Sequence, residues 1–216
     1  MKNYLPKITP DNQSEGEAKK PLLGRATNAI FDVLEMFAWS VFAVILLFSF
    51  GVRLCRVDGQ SMENTLYNQQ NLLVYSGAYT PKQDDIIVFH LTGNTAQKTY
   101  VKRVIATGGQ TVRINLQTKE ILVDGVPYED THSVFKYGGS TVNTNLSYFQ
   151  SLFQGSPYYD AETGIFETTV PENHLFVMGD NRNNSKDSRN PMVGFVDERC
   201  VLGKVILRIS PFQVLA

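Results

Sequence analysis

Hydrophobic and polar residues are unevenly distributed along this chain of 216 residues, and their pattern divides it into three parts. Residues 1–25 are mostly polar and charged, which is typical of a solvated, disordered tail. Met36–Val52 is an apolar run that contains no charged residue. Beyond this run, short apolar segments alternate with polar turns. The pattern predicts one long helix followed by a domain rich in strands.

The apolar run Met36–Val52 lies near the lower limit for a membrane-spanning helix, which needs about 17–25 apolar residues. Residues 26–34 extend it with Asp32 as their only charge, so we predict a single transmembrane anchor at residues 26–54. Trp39 suits an interfacial position. A buried core helix is the alternative, but the run has no amphipathic stripe. A cleaved signal sequence would begin nearer the N-terminus and end at small residues.

The orientation of this anchor rests on a small difference in charge. Basic residues flank it on both sides, at Lys19, Lys20 and Arg25 before it and at Arg53 and Arg56 after it. The positive-inside rule then slightly favours a cytoplasmic N-terminus. We therefore expect a single-pass protein of the cell membrane, with its folded domain on the extracytoplasmic side.

Strand signals dominate the chain after the anchor. The predicted strands cover residues 71–75, 85–89, 99–106, 111–115, 120–123, 175–178 and 201–209. Asp124-Gly125 is a strong hairpin signal. The expected fold class is mainly β: a single N-terminal transmembrane helix followed by an antiparallel β domain at residues 55–125 and 171–216. Residues 126–170, rich in Tyr, Phe, Ser, Asn and Gly, are expected to form an insertion or small subdomain.

Charge and cysteine content exclude several classes of function. The formal net charge is −1, which gives no reason to expect nucleic acid as a partner. Cys55 and Cys200 are too few for a disulfide framework and lack the paired spacing of a zinc site. They are expected to be unpaired structural thiols, although the sequence leaves open whether they pair. The three histidines are far apart, so no metal site is expected.

Three segments contain residues suited to catalysis. Ser61 follows Gly59-Gln60 directly beyond the anchor, but a serine in a polar turn is common. Lys102 and Arg103 lie on opposite faces of a predicted strand, each among apolar neighbours. Either both side chains extend to water, or one is buried and its pKa is lowered, which would make a lysine amine available as a base. Residues 178–189 form a loop dense in small polar side chains after a predicted strand, where functional residues are often found.

In this order, and after an anchor, these segments resemble the type I signal peptidases, a family of serine–lysine peptidases. Ser61-Met62 with Thr65-Leu66 resembles the nucleophile box of that family, and Tyr100-x-Lys102-Arg103-Val104 resembles its lysine box. The loop from Gly179 to Arg189, followed by Gly194-Phe195-Val196, resembles its C-terminal box. The resemblance covers residues 36–210. Asn64 departs from it, because the family usually has proline there.

The resemblance implies roles for individual residues. Ser61 is the expected nucleophile and Lys102 its base, with Ser185 orienting Lys102. Asp187, with Arg189 or Arg103, is expected to stabilise the site. Gly59 stands where some members have a serine whose hydroxyl binds the oxyanion, so a second donor must come from elsewhere. The residues expected to contact substrate are Val57, Asp58, Met62, Leu66, Tyr100 and Val101.

The activity that the resemblance implies is removal of signal peptides from exported preproteins, by cleavage after small residues at P1 and P3. No metal or cofactor is expected; the expected partners are preproteins and the lipid bilayer, together with secretion machinery. Two alternatives are weighed against this interpretation. A sortase-like transpeptidase would need a reactive cysteine, and Cys200 lacks the threonine-rich sequence that precedes the catalytic cysteine in that family. A non-enzymatic anchored binding domain would have no need for Ser61, Lys102 and Ser185 together.

Overall fold

The computed structural model describes residues 22–91, 98–134, 136–137, 141–142, 153 and 155–215. The predicted disordered tail therefore lies outside the described residues as far as residue 21. Much of the predicted insertion, including Tyr148 and Phe149, also lies outside them.

The N-terminal part is a long helix, α1 (Leu22–Leu46), which continues into a π-helical turn (Leu47–Gly51). Thr27–Gly51 is long and apolar enough to cross a membrane. Its large apolar side chains are exposed, Trp39 to 63% for example. A strand begins at Val52, within the segment predicted as the anchor.

The described residues contain fifteen strands and a 3-10 turn (Glu198–Cys200). In chain order the strands are β1 (Val52–Arg56), β2 (Asn71–Tyr75), β3 (Ile86–His90), β4 (Thr99–Thr107), β5 (Thr111–Asn115), β6 (Ile121–Val123), β7 (Val126–Pro127), β8 (Lys136–Tyr137), β9 (Thr141–Val142), β10 (Tyr159–Asp160), β11 (Ile165–Thr169), β12 (His174–Met178), β13 (Val196–Asp197), β14 (Val201–Arg208) and β15 (Gln213–Val214).

The strands form three sheets. The first has eight strands in the order β1-β2-β14-β3-β4-β12-β13, with β15 paired to β14. The second has the order β10-β11-β5-β6-β7, and β8 pairs with β9. All strand pairs in the described ranges are antiparallel, which confirms the predicted mainly β fold class.

Three apolar clusters hold these sheets together. One joins the second sheet to β4 and β12, with Ile105, Ile114 and Phe176 among its fully buried members. Another lies beneath the Ser61 segment and anchors that segment through Val57 before the serine and through Met62 and Leu66 after it. The third packs against β3, β4 and β12. Fully burying one such side chain contributes about 1.5–3 kcal/mol, so the segment carrying Ser61 is fixed to the sheet on both sides of the serine's turn.

All seven predicted strands are present, and each end lies within one residue of its predicted position. The strands that the pattern missed include β1, which follows the helix directly, and β11, which pairs with β5. The second sheet therefore combines residues before and within the segment 126–170. Both Cys55 and Cys200 are free thiols.

Candidate active site

Ser61 and Lys102, 41 residues apart in sequence, meet at the centre of the site. Lys102 Nζ lies 2.7 Å from Ser61 Oγ and also donates to the carbonyl of Val101 at 2.9 Å. The sequence left open whether the Lys102 and Arg103 side chains both extend to water or one of them is buried. Both are buried, at 3% and 5% exposed. The lysine amine is thus held against a hydroxyl in a site from which water is largely excluded.

This environment changes the protonation of the amine. Burial lowers the pKa of Lys102 to about 8, because the charged ammonium is poorly solvated there. The nearby carboxylates of Asp187 and Asp180 oppose this shift, while the positive charge of Arg189 adds to it. About one-tenth of the amine is therefore neutral at pH 7 and able to accept a proton.

The backbone around Ser61 forms a tight turn. The N–H groups of Thr65 and Leu66 both donate to the carbonyl of Met62, at 2.9 and 2.8 Å. Gly59 has a φ of 99°, which favours glycine, and its N–H donates to Asn68 Oδ1 at 3.0 Å. Within the described ranges the backbone N–H of Ser61 has no hydrogen-bond partner. This donor is available to a developing negative charge next to Ser61 Oγ.

The loop after β12 holds this turn in place from the other side. The backbone N–H of Asn181 donates to the Ser61 carbonyl at 3.0 Å, and Asn181 Nδ2 donates to the Gln60 carbonyl at 3.2 Å. Gly179 allows this close approach: a Cβ on it would lie 2.4 Å from the Ser61 carbonyl oxygen and 2.2 Å from Ser185 Oγ. Glycine at this position is thus needed for the loop and the serine turn to pack.

The same loop contains a buried ion pair. Arg189 Nε and Nη2 donate to the two carboxylate oxygens of Asp187, both at 2.8 Å, and the N–H of Gly179 donates to Asp187 at 2.9 Å. Burial alone would raise the pKa of Asp187, but the Arg189 guanidinium holds it below its usual range. Of the two arginines expected to pair with Asp187, Arg189 is the partner.

Ser185 is buried between these groups. The expected hydrogen bond from Ser185 to Lys102 is not present: the hydroxyl makes no hydrogen bond of normal geometry among the described residues. It nevertheless lies near enough to Asp187 to contribute to the lowered pKa of that carboxyl. Ser185 therefore acts on Asp187, whose carboxylate in turn lies near Lys102.

Arg103 pairs with Asp180, a residue that sequence reasoning did not select. Its Nε and Nη2 donate to the two carboxylate oxygens at 2.9 and 2.8 Å, and Nη1 donates to the carbonyl of Asp84 at 2.8 Å. Thr65 donates its hydroxyl to the same carboxylate. Asp180 thus connects the strand that carries Lys102 to the turn that carries Ser61.

A second missed contact involves Arg182, which is 2% exposed. It forms an ion pair with Asp130 at 2.6 Å and a further hydrogen bond to it at 2.9 Å. Val134 pairs with the same loop, donating to the Asp180 carbonyl and accepting from the Arg182 N–H, both at 2.8 Å. Only spatial proximity reveals these partners, because Asp130 lies in an unremarkable acidic stretch of the sequence.

A groove of about 600 Å³ runs past Ser61 and Lys102. Val57, Asp58, Met62, Tyr100 and Val101 line it, as does Gly59. Leu66, also expected to contact substrate, does not line it, because its side chain is fully buried in the core beneath.

One edge of this groove is an unpaired strand edge. β12 pairs with β4 from Arg103 to Thr107 but not before, and β3 occupies the other edge of β4. In the part of the chain that the structure describes, Thr99–Lys102 therefore lacks a strand partner on its second edge. Such an edge can accept an extended peptide as an added strand.

Comparison with known proteins identifies the family. The family described as "Signal peptidase, peptidase S26" matches residues 30–210. A probable signal peptidase I-1 of Synechocystis sp. is 31% identical over 72% of this chain and 69% of that protein. Signal peptidase I P of Bacillus subtilis subsp. natto is 30% identical over 88% of this chain and 94% of that protein.

A signal peptidase I of known crystal structure, from Enterococcus faecalis V583, is 27% identical. The match covers 59% of this chain and 97% of that chain, with a TM-score of 0.36, too low to support an argument about the fold. The match over residues 30–210 and the extended similarity to the Bacillus protein carry the assignment. The chain belongs to the type I signal peptidases of peptidase family S26 and is a serine peptidase.

Proposed function

We propose that this protein removes signal peptides from exported preproteins with a Ser61–Lys102 dyad. The observation that carries the proposal is the 2.7 Å contact between a hydroxyl and a buried amine with a lowered pKa. In its neutral form the amine accepts the Ser61 proton while Oγ attacks the scissile carbonyl. The resulting ammonium then protonates the leaving amine, and an acyl-enzyme remains. Lys102 next takes a proton from the water that attacks the ester carbonyl, and it returns that proton to Ser61 Oγ as the acyl group leaves.

The negative charge that develops on the carbonyl oxygen needs donors. The unpaired backbone N–H of Ser61 is the first of them in this proposal. Gly59 has no hydroxyl to offer, so the second donor is water or another backbone group. Loss of one such donor typically costs about 10²–10³ in rate.

The substrate is proposed to bind as an extended strand between residues 55–59 and the open edge at Thr99–Lys102. Val57, Val88 and Val101 form an apolar wall of the groove, which suits small apolar side chains at P1 and P3. Backbone pairing supplies affinity for any sequence, while the wall selects side-chain size. Asp187, Arg189 and Arg103 act as positioning residues around the dyad.

The apolar helix supports a membrane location. We propose that residues 26–54 anchor the protein once in the cell membrane, with residues 1–25 cytoplasmic and the catalytic domain, residues 55–125 and 171–216, outside. Residues 126–170 are assigned to an insertion within that domain. A signal peptide is itself held in the bilayer, so a shared membrane raises the effective concentration of enzyme and substrate. Contact with the secretion machinery belongs to the same proposal.

The test is cleavage of a preprotein with an Ala-x-Ala site in non-ionic detergent. We expect the parent to cut after the last Ala, and Ser61→Ala and Lys102→Ala to lose activity by about 10³-fold or more while unfolding at the parent temperature. Near-parent activity of Lys102→Ala would show that another group is the base. An inert parent would favour the non-enzymatic anchored binding domain.

A further inference from the structure

The groove contains basic residues that the proposed chemistry does not use. Lys98, just before β4, and Arg56, at the end of β1, are both exposed and line the groove on its two edges. Arg56 Nε donates to the carbonyl of Gln69 at 3.3 Å, which leaves its charge uncompensated. Among the described residues neither side chain forms an ion pair.

The direction of the bound substrate follows from the sheet. Four successive antiparallel pairings separate β1 from β4, through β2, β14 and β3, so β1 and β4 run in the same direction. A peptide between them runs parallel to both or antiparallel to both. On the two flanking segments the groove is lined by Cys55–Met62 and Lys98–Lys102, so it extends from the dyad back along both segments, past Val57 and Val101. Small residues before the cut need the apolar side, so the peptide runs parallel to both strands.

This direction locates the basic residues along the substrate. The scissile carbonyl lies at Ser61 and Lys102, and Lys98 is four residues before Lys102 on β4. Strands advance about 3.3 Å per residue, so Lys98 lies about 13 Å from the cut, beside the fifth residue before it. Arg56 precedes Ser61 by five residues and lines the groove from the other edge. Asp58 lies nearer the cut, beside P2 or P3.

We propose that Lys98 and Arg56 are specificity-determining residues that select preproteins by charge at P5, favouring an acidic side chain and disfavouring a basic one. The inference rests on the proposed cleavage of signal peptides and adds a selected position to it. Both cations are solvated, so each contributes modestly, as exposed charge pairs do. The preference weakens as salt screens it.

The experiment uses the full-length protein in non-ionic detergent and three peptides with one Ala-x-Ala site that differ only at P5, which is Glu, Gln or Lys. We expect kcat/KM to fall in that order, by about two- to fivefold at each step at low salt. Lys98→Glu should flatten or reverse the order, mainly through KM. Lys82→Glu makes the same change of charge at an exposed site outside the groove and should retain the parent order.

The outcomes separate this inference from the proposed function. Equal kcat/KM for all three peptides in the parent, or an unchanged order in Lys98→Glu, would overturn the charge selection while leaving peptide cleavage established. A parent that cuts none of the three peptides contradicts the proposed function itself, and the P5 preference with it. A reversal in Lys82→Glu equal to that in Lys98→Glu would assign the effect to net charge and overturn the role of Lys98.

Discussion

At the scale of single residues, the site depends on one amine that the fold keeps away from water. Nothing in the charge pattern distinguishes Lys102 from Arg103, since both lie on β4 among apolar neighbours. Their partners separate them: Arg103 is neutralised by Asp180, whereas the hydrogen-bond partners of Lys102 among the described residues are a hydroxyl and a carbonyl. A buried arginine stays charged, while a buried lysine can release its proton. Of these two neighbours, Lys102 is therefore the one suited to act as a base, and Arg103 is a structural cation.

The lowered pKa of Lys102 predicts a pH profile. The base is active when deprotonated, so kcat/KM should rise with pH, with a slope of about one below pH 8, and level off above it. At pH 7 only about one-tenth of the amine is neutral. The measurement is kcat/KM for a neutral peptide from pH 6 to 9.5. A profile that still rises with a slope of about one at pH 9.5, as an ordinary lysine pKa of 10.5 requires, would mean that the amine is solvated in the free enzyme.

At the scale of elements, the loop between β12 and β13 contributes most to the site's geometry. It donates to the Ser61 carbonyl through Asn181, contains the Asp187–Arg189 pair and supplies the Asp180 carboxylate to Arg103. Its packing against the serine turn depends on the missing side chain of Gly179. A rigid strand followed by an internally bonded loop thus positions both members of the dyad.

This packing predicts the effect of Gly179→Ala. The added methyl group clashes with the Ser61 carbonyl, which is backbone, so the serine turn must shift. We expect kcat to fall by about 10²-fold with a smaller change in KM, since displacements of about 1 Å have such effects. Adding Ser185→Ala removes the clash with the hydroxyl but leaves those with the Ser185 Cβ, at 2.6 Å, and with the Ser61 backbone. The double variant should therefore stay impaired; its recovery would show that Ser185 alone conflicts with the methyl group.

At the scale of the whole molecule, the sequence predicts some parts of the structure in more detail than others. Alternation predicted β2 and β5, which bury every second residue, and continuous apolar runs predicted β3 and β12, which are buried along almost their whole length. It missed β1, whose residues continue the apolar anchor, and β11, whose Ile165–Thr169 sequence lies in an irregular stretch. Motifs predicted Ser61 and Lys102 as partners, and the contact exists. They did not reveal Asp180 or Asp130 as partners of Arg103 and Arg182, since pairing depends on long-range packing.

The segment that follows β7 shows how such partners connect distant parts of the domain. Just after β7, the hydroxyl of Tyr128 donates a hydrogen bond to the carboxylate of Asp84. The backbone carbonyl of Asp84 accepts a hydrogen bond from Arg103. Further along the segment, Asp130 forms an ion pair with the buried Arg182, and Val134 forms backbone hydrogen bonds with the loop after β12. A segment outside the three family boxes therefore joins the second sheet to the site on the first.

Asp130→Asn tests this connection. It leaves Arg182, which is 2% exposed, without its carboxylate, and a buried cation that loses its partner destabilises a protein by up to about 3 kcal/mol. We expect Tm to fall by several degrees and kcat to fall more than KM changes, with Asp130→Glu recovering part of both. Asp197→Asn removes the carboxylate of the surface pair with Arg199, which is 89% exposed, and should leave Tm and kcat at parent values. If Asp130→Asn leaves Tm and kcat at parent values, as Asp197→Asn should, the segment after β7 packs against the loop after β12 without positioning it.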